Sequence, residues 1–255
     1  MMNDIHPKAR LDSNVFVGSF TSIAEDVEIG EGTWIGPNVT IMDGARIGKN
    51  CRIFPGAVIS AIPQDLKFDG EITTAEIGDN TTIRECVTIN RGTSDRMKTS
   101  LGNNSLIMAY SHLAHDVQVG NNVILANNAT IAGHVIIEDF SILEGLVAVQ
   151  QFIKIGRHAF ITGGSLVRKN VPPYIKAARE PLAFAGVNSI GLKRNGFSTE
   201  DVRMIEDIYR ILFVKGGNMS NAVKLIHSDI PEGSLKKEIL DFIETSEKGI
   251  IRGPL

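Results

Sequence analysis

Three histidines fall close together in the sequence, His112, His115 and His134, with Asp116 directly after the second and Gly133 directly before the third. Histidine is the usual general base near neutral pH, and an adjacent carboxylate can hold one imidazole tautomer in the manner of a catalytic triad. A glycine beside such a base can offer its backbone N–H to a developing oxyanion with no side chain in the way. The same residues also permit other readings. A His-x-x-His pair with a third histidine is compatible with zinc ligation, as in a hydratase, and outward polar residues can simply be solvated. Among the remaining histidines, His158 falls on another face, and His6 and His227 lie outside the main repeat.

The element that positions these residues is a six-residue repeat. Aliphatic residues recur at Val17, Ile23, Ile29, Ile35, Ile41, Ile47, Ile53 and Ile59, again at Ile77, Ile83 and Ile89, and then without a slip through twelve hexads from Leu101 to Val167. Four places after each aliphatic stands a small or β-branched residue, and Asn, Asp and Gly crowd the places between, where tight corners need unusual φ. Three hexads make an 18-residue triangular coil, so the pattern predicts a parallel β-helix whose coils stack about 4.8 Å apart. Periodicity leaves its handedness open. On this phase Gly133 stacks on His115, which places base and oxyanion donor on adjacent coils, with the His115 side chain pointing outward.

Residues 60–75 and 94–100 break the register and are expected to project as loops, where function tends to concentrate. The hexads end at Val171-Pro172-Pro173. From Ser198 the period becomes helical, with Val202, Ile205, Ile208, Tyr209 and Leu212 on one face, a Ser198/Asp201 capping box and a stop at Gly216-Gly217. Further helices are expected over about 220–228 and 235–246. The reading is thus mainly β: a β-helix over residues 1–190, then a small α-helical C-terminal domain over 191–255 that covers the open end of the last coil.

Composition narrows the function. Lys plus Arg total 26 against 29 Asp plus Glu, a net charge of −3, which argues against whole-chain attraction to nucleic acid or anionic membrane. Residues 154–194 run the other way, at +7, and could meet a pyrophosphate, a phosphopantetheine arm or an acidic carrier protein. No apolar run is long enough to span a bilayer, and Met1–Arg10 lacks a signal-peptide core, so a cytoplasmic protein is expected. Cys51 and Cys86 are too few and too far apart for a disulfide framework.

Four segments carry a closer likeness: Gln64-Asp65-Leu66-Lys67, His112-Leu113-Ala114-His115-Asp116, Leu125 through His134, and Gly186-Val187-Asn188 with Gly191-Leu192-Lys193-Arg194. With them the chain resembles, over nearly its whole length, the UDP-N-acetylglucosamine O-acyltransferases of lipid A synthesis. The resemblance implies a left-handed β-helix, a homotrimer with active sites in clefts between subunits, and transfer of a (3R)-hydroxyacyl chain from acyl carrier protein to the 3-hydroxyl of UDP-N-acetylglucosamine. No metal or other cofactor is implied beyond the carrier's phosphopantetheine. The related glucosamine N-acyltransferases carry an extra N-terminal uridine-binding domain, for which hexads starting by residue 17 leave no room.

The resemblance further implies His115 as general base, Asp116 as its orienting partner and Gly133 as oxyanion donor. Asp65 and Lys67 would meet the acyl β-hydroxyl and the sugar; His112, His134 and Gln151 would line the cleft; Asn188 and Arg194 would face the nucleotide and its phosphates. Gly163 would leave open a channel for a long acyl chain. Gln150, Ile190 and Asn195 depart from the pattern, standing where many members have His, an acid and a second Arg.

Overall fold

Each aliphatic of the repeat ends a short strand whose side chain turns inward. Ile35, Ile53, Ile83, Ile107, Leu125, Leu143 and Ile161 are fully buried in one column. Each such residue is worth roughly 1.5–3 kcal/mol of burial. The computed structural model describes residues 3–253, in which these strands form three sheets of nine, eight and ten strands, parallel but for the last strand of the third, the faces of a left-handed triangular prism. The register is that of an 18-residue coil: Leu106 pairs Ile124, Ile124 pairs Ile142, and His112 pairs Thr130.

The corners are turned by residues with positive φ three places after the aliphatic. Asn fills many of them, as the sequence suggested, but Phe20, Tyr110, Phe140 and Phe152 adopt the same conformation. Stacking against the neighbouring coils therefore holds a left-handed backbone even where the residue type does not favour it.

Two insertions interrupt the prism without losing its phase. Ile47 pairs Ile77, thirty residues on instead of eighteen, and Ile77 pairs Leu101, twenty-four on, so the insertions are of twelve and six residues. The first is shorter than the loop expected at 60–75, and the second begins three residues before the one expected at 94–100. Strands Val58–Ala61, Thr74–Ile77 and Lys98–Leu101 run into them because the flanks of an insertion find longer partners, Thr74 through Ile77 pairing Lys98 through Leu101. The irregular segments are 62–73 and 91–97.

Both ends of the repeat extend past the sequence reading. Asp4–Ile5 and Arg10–Leu11 already pair with the next coil, two hexads before Val17, although Ile5 stays exposed because the first coil has a neighbour on one side only. Beyond Pro172-Pro173, Ile175–Ala178 still pairs in parallel with Phe160–Ile161, and Ala183–Val187 closes that sheet antiparallel. Helices α1 (Ser189–Arg194), α2 (Thr199–Arg210), α3 (Met219–Asp229) and α4 (Ser234–Glu244) follow. Both halves of the Ser198/Asp201 capping box form, and α2 passes through a π-turn at Ile211–Lys215 before stopping at Gly216. Val202, Ile205, Ile208 and Tyr209 face the end of the prism, where the Tyr209 hydroxyl donates to Pro173 O at 2.7 Å. No helix among the described residues is long and apolar enough to cross a membrane.

Candidate active site

The strand His112–Leu113 delivers His115 to the following corner, and the 91–97 insertion folds over it. His115 does point out of the prism, as the hexad position requires, yet it is only 4 % exposed. Outward is not open here, because the two insertions, which the repeat cannot describe, cover it. Asp116, in the left-handed conformation at φ +59 and fully buried, accepts from His115 Nδ1 at 2.9 Å through Oδ2. With Nδ1–H donating, the neutral ring carries its lone pair on Nε2.

The Asp116 carboxylate is held from the other side by the insertion. Oδ2 also accepts from the Thr93 hydroxyl at 2.6 Å, while Oδ1 accepts from the backbone N–H groups of Thr93 at 3.0 Å and Arg96 at 3.3 Å. Burial pushes this carboxyl up, but the bonds from Thr93 and His115, with the nearby charge of His134, more than offset it and hold it below the ordinary aspartate value. Asp116 is thus an anion without titrating water around it.

His134 meets His115 edge to face, with ring centroids 5.0 Å apart. Its Nε2 lies 3.8 Å from Asp116 Oδ2, and its Nδ1 lies 3.0 Å from Asp95 Oδ2, close enough for attraction but not aligned as a hydrogen bond. On its far side Phe152 stacks at 4.6 Å, and the Lys248 ammonium sits 5.5 Å over the Phe152 ring. His112 is half-buried, with Nδ1 2.7 Å from Thr88 Oγ1; burial and then the charge of His115 lower its pKa, so it lines the site as a neutral ring. Asp65 comes in from the 62–73 insertion, its Oδ2 3.9 Å from His115 Nε2, and its other oxygen accepts from the Lys67 backbone N–H at 3.0 Å. The Lys67 side chain is exposed.

Gly133 stacks on His115 as the 18-residue phase predicts. A Cβ there would lie 2.6 Å from His115 Cε1 and 2.7 Å from Nε2, so only glycine allows the imidazole this position. Its N–H has no acceptor among the described residues, which leaves it free for a ligand oxygen.

Donor atoms of His115, Asp116 and His134 fall within 4.8 Å of one another, a spacing that a metal ion could use. The donor chemistry fits poorly. Asp116 Oδ2 already accepts two hydrogen bonds, and His115 Nδ1 is turned to it as a donor, so both would have to rearrange to ligate.

Other residues singled out in the sequence fall elsewhere in the protomer. Gln151 is exposed next to Phe152. Gly163 lies at a different corner of the prism, its N–H donating to Glu144 Oε2 at 2.9 Å. Asn188 is buried and caps α1: its amide accepts from Gly191 N at 3.3 Å and donates to His158 O at 3.0 Å. Arg194 is exposed in the last turn of α1. Three cations of the basic segment 154–194 have acidic neighbours. Lys154 pairs with Glu138 at 3.0 Å, Arg168 with Glu180 at 2.9 Å, and Arg157 lies 3.6 Å from Glu238. Sequence reasoning missed Thr93, Asp95, Arg96 and Phe152, of which Phe152 was within reach, since it stands one coil, eighteen residues, beyond His134.

Comparison with known proteins places this arrangement. The profile of bacterial transferase hexapeptide repeats matches residues 26–61 and 98–133, and that of UDP-N-acetylglucosamine O-acyltransferase, domain 2, matches 170–251. Acyl-[acyl-carrier-protein]–UDP-N-acetylglucosamine O-acyltransferases from Herminiimonas arsenicoxydans and Janthinobacterium sp. (strain Marseille) are 44% and 46% identical, each over 97% of both chains. The crystal structure of the UDP-N-acetylglucosamine acyltransferase from Bacteroides fragilis superposes with a TM-score of 0.97 at 47% identity, covering 98% of each chain. That from Francisella novicida gives 0.95 at 40% identity, over 99% of this chain and 93% of the other. With relatives this similar along its whole length, and with a buried His–Asp pair facing a bare glycine amide on its β-helix, the chain belongs to the UDP-N-acetylglucosamine O-acyltransferase family.

Proposed function

We propose that the protein transfers a (3R)-hydroxyacyl chain from acyl carrier protein to the 3-hydroxyl of UDP-N-acetylglucosamine, the first step of lipid A synthesis, with His115 as general base. The observation that carries the mechanism is the locked tautomer: Nδ1 is committed to a buried carboxylate, and Nε2 is left as the basic atom beside a free backbone N–H. Nε2 takes the proton of the sugar 3-hydroxyl as its oxygen attacks the thioester carbonyl. The oxyanion of the tetrahedral intermediate accepts from Gly133 N–H; the C–S bond then breaks, and the proton on Nε2 passes to the departing phosphopantetheine sulfur. No covalent acyl-enzyme forms, and no metal or other cofactor takes part.

In this reading Asp65 and Lys67 meet the β-hydroxyl and the sugar, and His112, His134 and Gln151 line the cleft. Asn188 and Arg194 serve the nucleotide. Neither they nor Gly163 have a hydrogen bond or ion pair to the His115 corner within the described protomer, which favours a site completed by a neighbouring subunit of a homotrimer. An added Cβ at Gly163 would meet Gly145 O at 3.2 Å, and the backbone there is not left-handed. That approach is tighter than a side chain usually tolerates, so the nearby carbonyl and an open channel for a long chain both favour a glycine here. The enzyme works in the cytoplasm on soluble carrier protein, with the β-helix carrying catalysis and the helical C-terminal domain serving the nucleotide.

The test is transfer from hydroxyacyl carrier proteins of graded length to UDP-N-acetylglucosamine or its 3-amino analogue, by wild type and His115→Ala. The 3-hydroxyl sugar is the better acceptor, the longer chains are preferred, a chelator is without effect, and His115→Ala loses about 10²–10⁴-fold. His115→Ala turnover above a tenth of wild type would sink the base assignment.

A further inference from the structure

The Asp116 carboxylate has two imidazoles within reach. Oδ2 bonds His115 Nδ1 at 2.9 Å, and His134 Nε2 stands 3.8 Å from the same oxygen. A side chain free to swing about its χ angles would divide itself between them, and only the His115 partnership leaves Nε2 of the base aimed at the cleft.

What prevents the swing is Thr93. Its hydroxyl donates to Oδ2 and its N–H donates to Oδ1, so one residue grips both oxygens and fixes the carboxylate plane. The hydroxyl hydrogen is itself directed, because Thr93 Oγ1 accepts from Asp95 N–H at 3.3 Å. Threonine is well suited to this grip, since its β-branch restricts χ1, and it is buried at 8 % exposure. Met97 N–H to Thr93 O at 2.8 Å closes the turn that presents it.

Resting on the general-base reading of His115, we propose that Thr93 is a positioning residue that commits Asp116 to His115 rather than His134, and that the 91–97 insertion exists in part to deliver it. The groups facing the pair are few. Asp65 lies toward His115 Nε2, His112 and His134 flank the ring, Asp95 lies against His134, and the Arg96 guanidinium is tied to Asp116 O at 2.9 Å. Releasing the carboxylate toward His134 takes an anion away from the His115 imidazolium, and a departing anion makes the ring harder to protonate. The acidic limb of the activity profile must therefore move to lower pH.

The experiment compares wild type, Thr93→Val, Thr93→Ser and His115→Ala in the full-length protein, by kcat, KM for UDP-N-acetylglucosamine, the pH dependence of kcat/KM, and thermal unfolding. Thr93→Val keeps the shape and removes the donor. It should lose about 10- to 100-fold in kcat, the scale of a misoriented catalytic group, with KM nearly unchanged and the acidic limb at lower pH. Thr93→Ser should restore both kcat and the limb. Should the valine protein misfold, Thr93→Ala, which also removes the hydroxyl donor and adds no bulk, takes its place with the same expectations. A Thr93 variant with wild-type kcat and an unmoved limb, beside an inactive His115→Ala, overturns the positioning role; lost stability with an unmoved limb does the same. Turnover retained by His115→Ala instead overturns the base assignment on which it rests.

Discussion

His134 and His158 occupy equivalent sockets of the prism and differ in what is laid over them. Each stands three places after its aliphatic, Ile131 or Ile155, with a left-handed backbone at φ +62 and +54. Each stacks on an aromatic ring one coil away, Phe152 at 4.6 Å and Phe140 at 4.7 Å. The scaffold treats them alike; what covers them does not. Over His134 the 91–97 insertion places Asp95, and the ring sits among carboxylates and a second imidazole. Over His158 the C-terminal segment places Tyr174 and Phe197, with Asn188 bonded to the histidine carbonyl. There burial, helped by the Arg157 charge and only partly opposed by Asp139, drives the pKa down to about 4. A repeat builds identical sockets, and the non-repeating segments laid over them decide which lies among titratable groups and which is packed in aromatic rings.

The sharpest way to break this comparison is at the residue preceding each histidine. Arg157 fills that place before His158, whereas a Cβ at Gly133 would collide with the His115 ring. Gly133→Ala should displace both the base and the oxyanion donor, lowering kcat by about 10²–10³-fold while the thermal unfolding temperature stays close to wild type. Near-normal turnover would mean that the ring yields without consequence and the glycine is only a corner.

Acid separates the two histidines next. In the unfolded chain a histidine titrates near 6.5, whereas folded His158 does so near 4, so between these values the unfolded state binds the extra proton. Its contribution is intact above pH 6.5, is lost as pH falls to about 4, and amounts to roughly 3 kcal/mol in all. His158→Phe should flatten that part of the stability curve in denaturant titrations between pH 7 and 4, and leave turnover alone. An equally steep curve in the variant would assign the acid loss to other groups. His134→Phe is the converse. Phe20, Phe140 and Phe152 already adopt this backbone, so the fold should keep its stability, while loss of the polar ring beside Asp116 should cost about 10- to 100-fold in kcat.

Why the sequence revealed one half of this contrast and not the other follows from what a period can encode. An 18-residue coil puts Gly133 on His115 by counting, and the same count would have put Phe152 on His134. The capping box at Ser198 and the stop at Gly216 were equally local, each needing only residues within one turn. Thr93, Asp95 and Arg96 were not legible, because they sit in an insertion whose path no phase determines, and their roles depend on hydrogen bonds reaching twenty or more residues along the chain. The burial of His115 went unread for the same reason. A count of charge over residues 154–194 could not show that Glu138 and Glu238, outside that segment, lie beside Lys154 and Arg157.

Arg194 gives the smallest and most discriminating effect, because it stands on the helical side of the molecule with His158 and yet, in the proposed reaction, serves the side with His115. It is exposed in the last turn of α1, where a cation complements the helix dipole by no more than about 1 kcal/mol, so Arg194→Ala should barely alter stability. If its guanidinium grips the diphosphate, far from the carbonyl under attack, the loss falls on binding: KM for the UDP-sugar should rise about tenfold, with kcat nearly constant. An unchanged KM would make the helical side packing alone, and a lost kcat would move Arg194 into the reaction centre. Mixing then tests where the grip comes from. Oligomers assembled from Arg194→Ala and His115→Ala chains contain, in a site shared between subunits, some clefts with an intact His115 facing an intact Arg194. Those clefts should work with the wild-type KM. If both residues serve the same protomer, every cleft carries one defect, and mixing restores nothing.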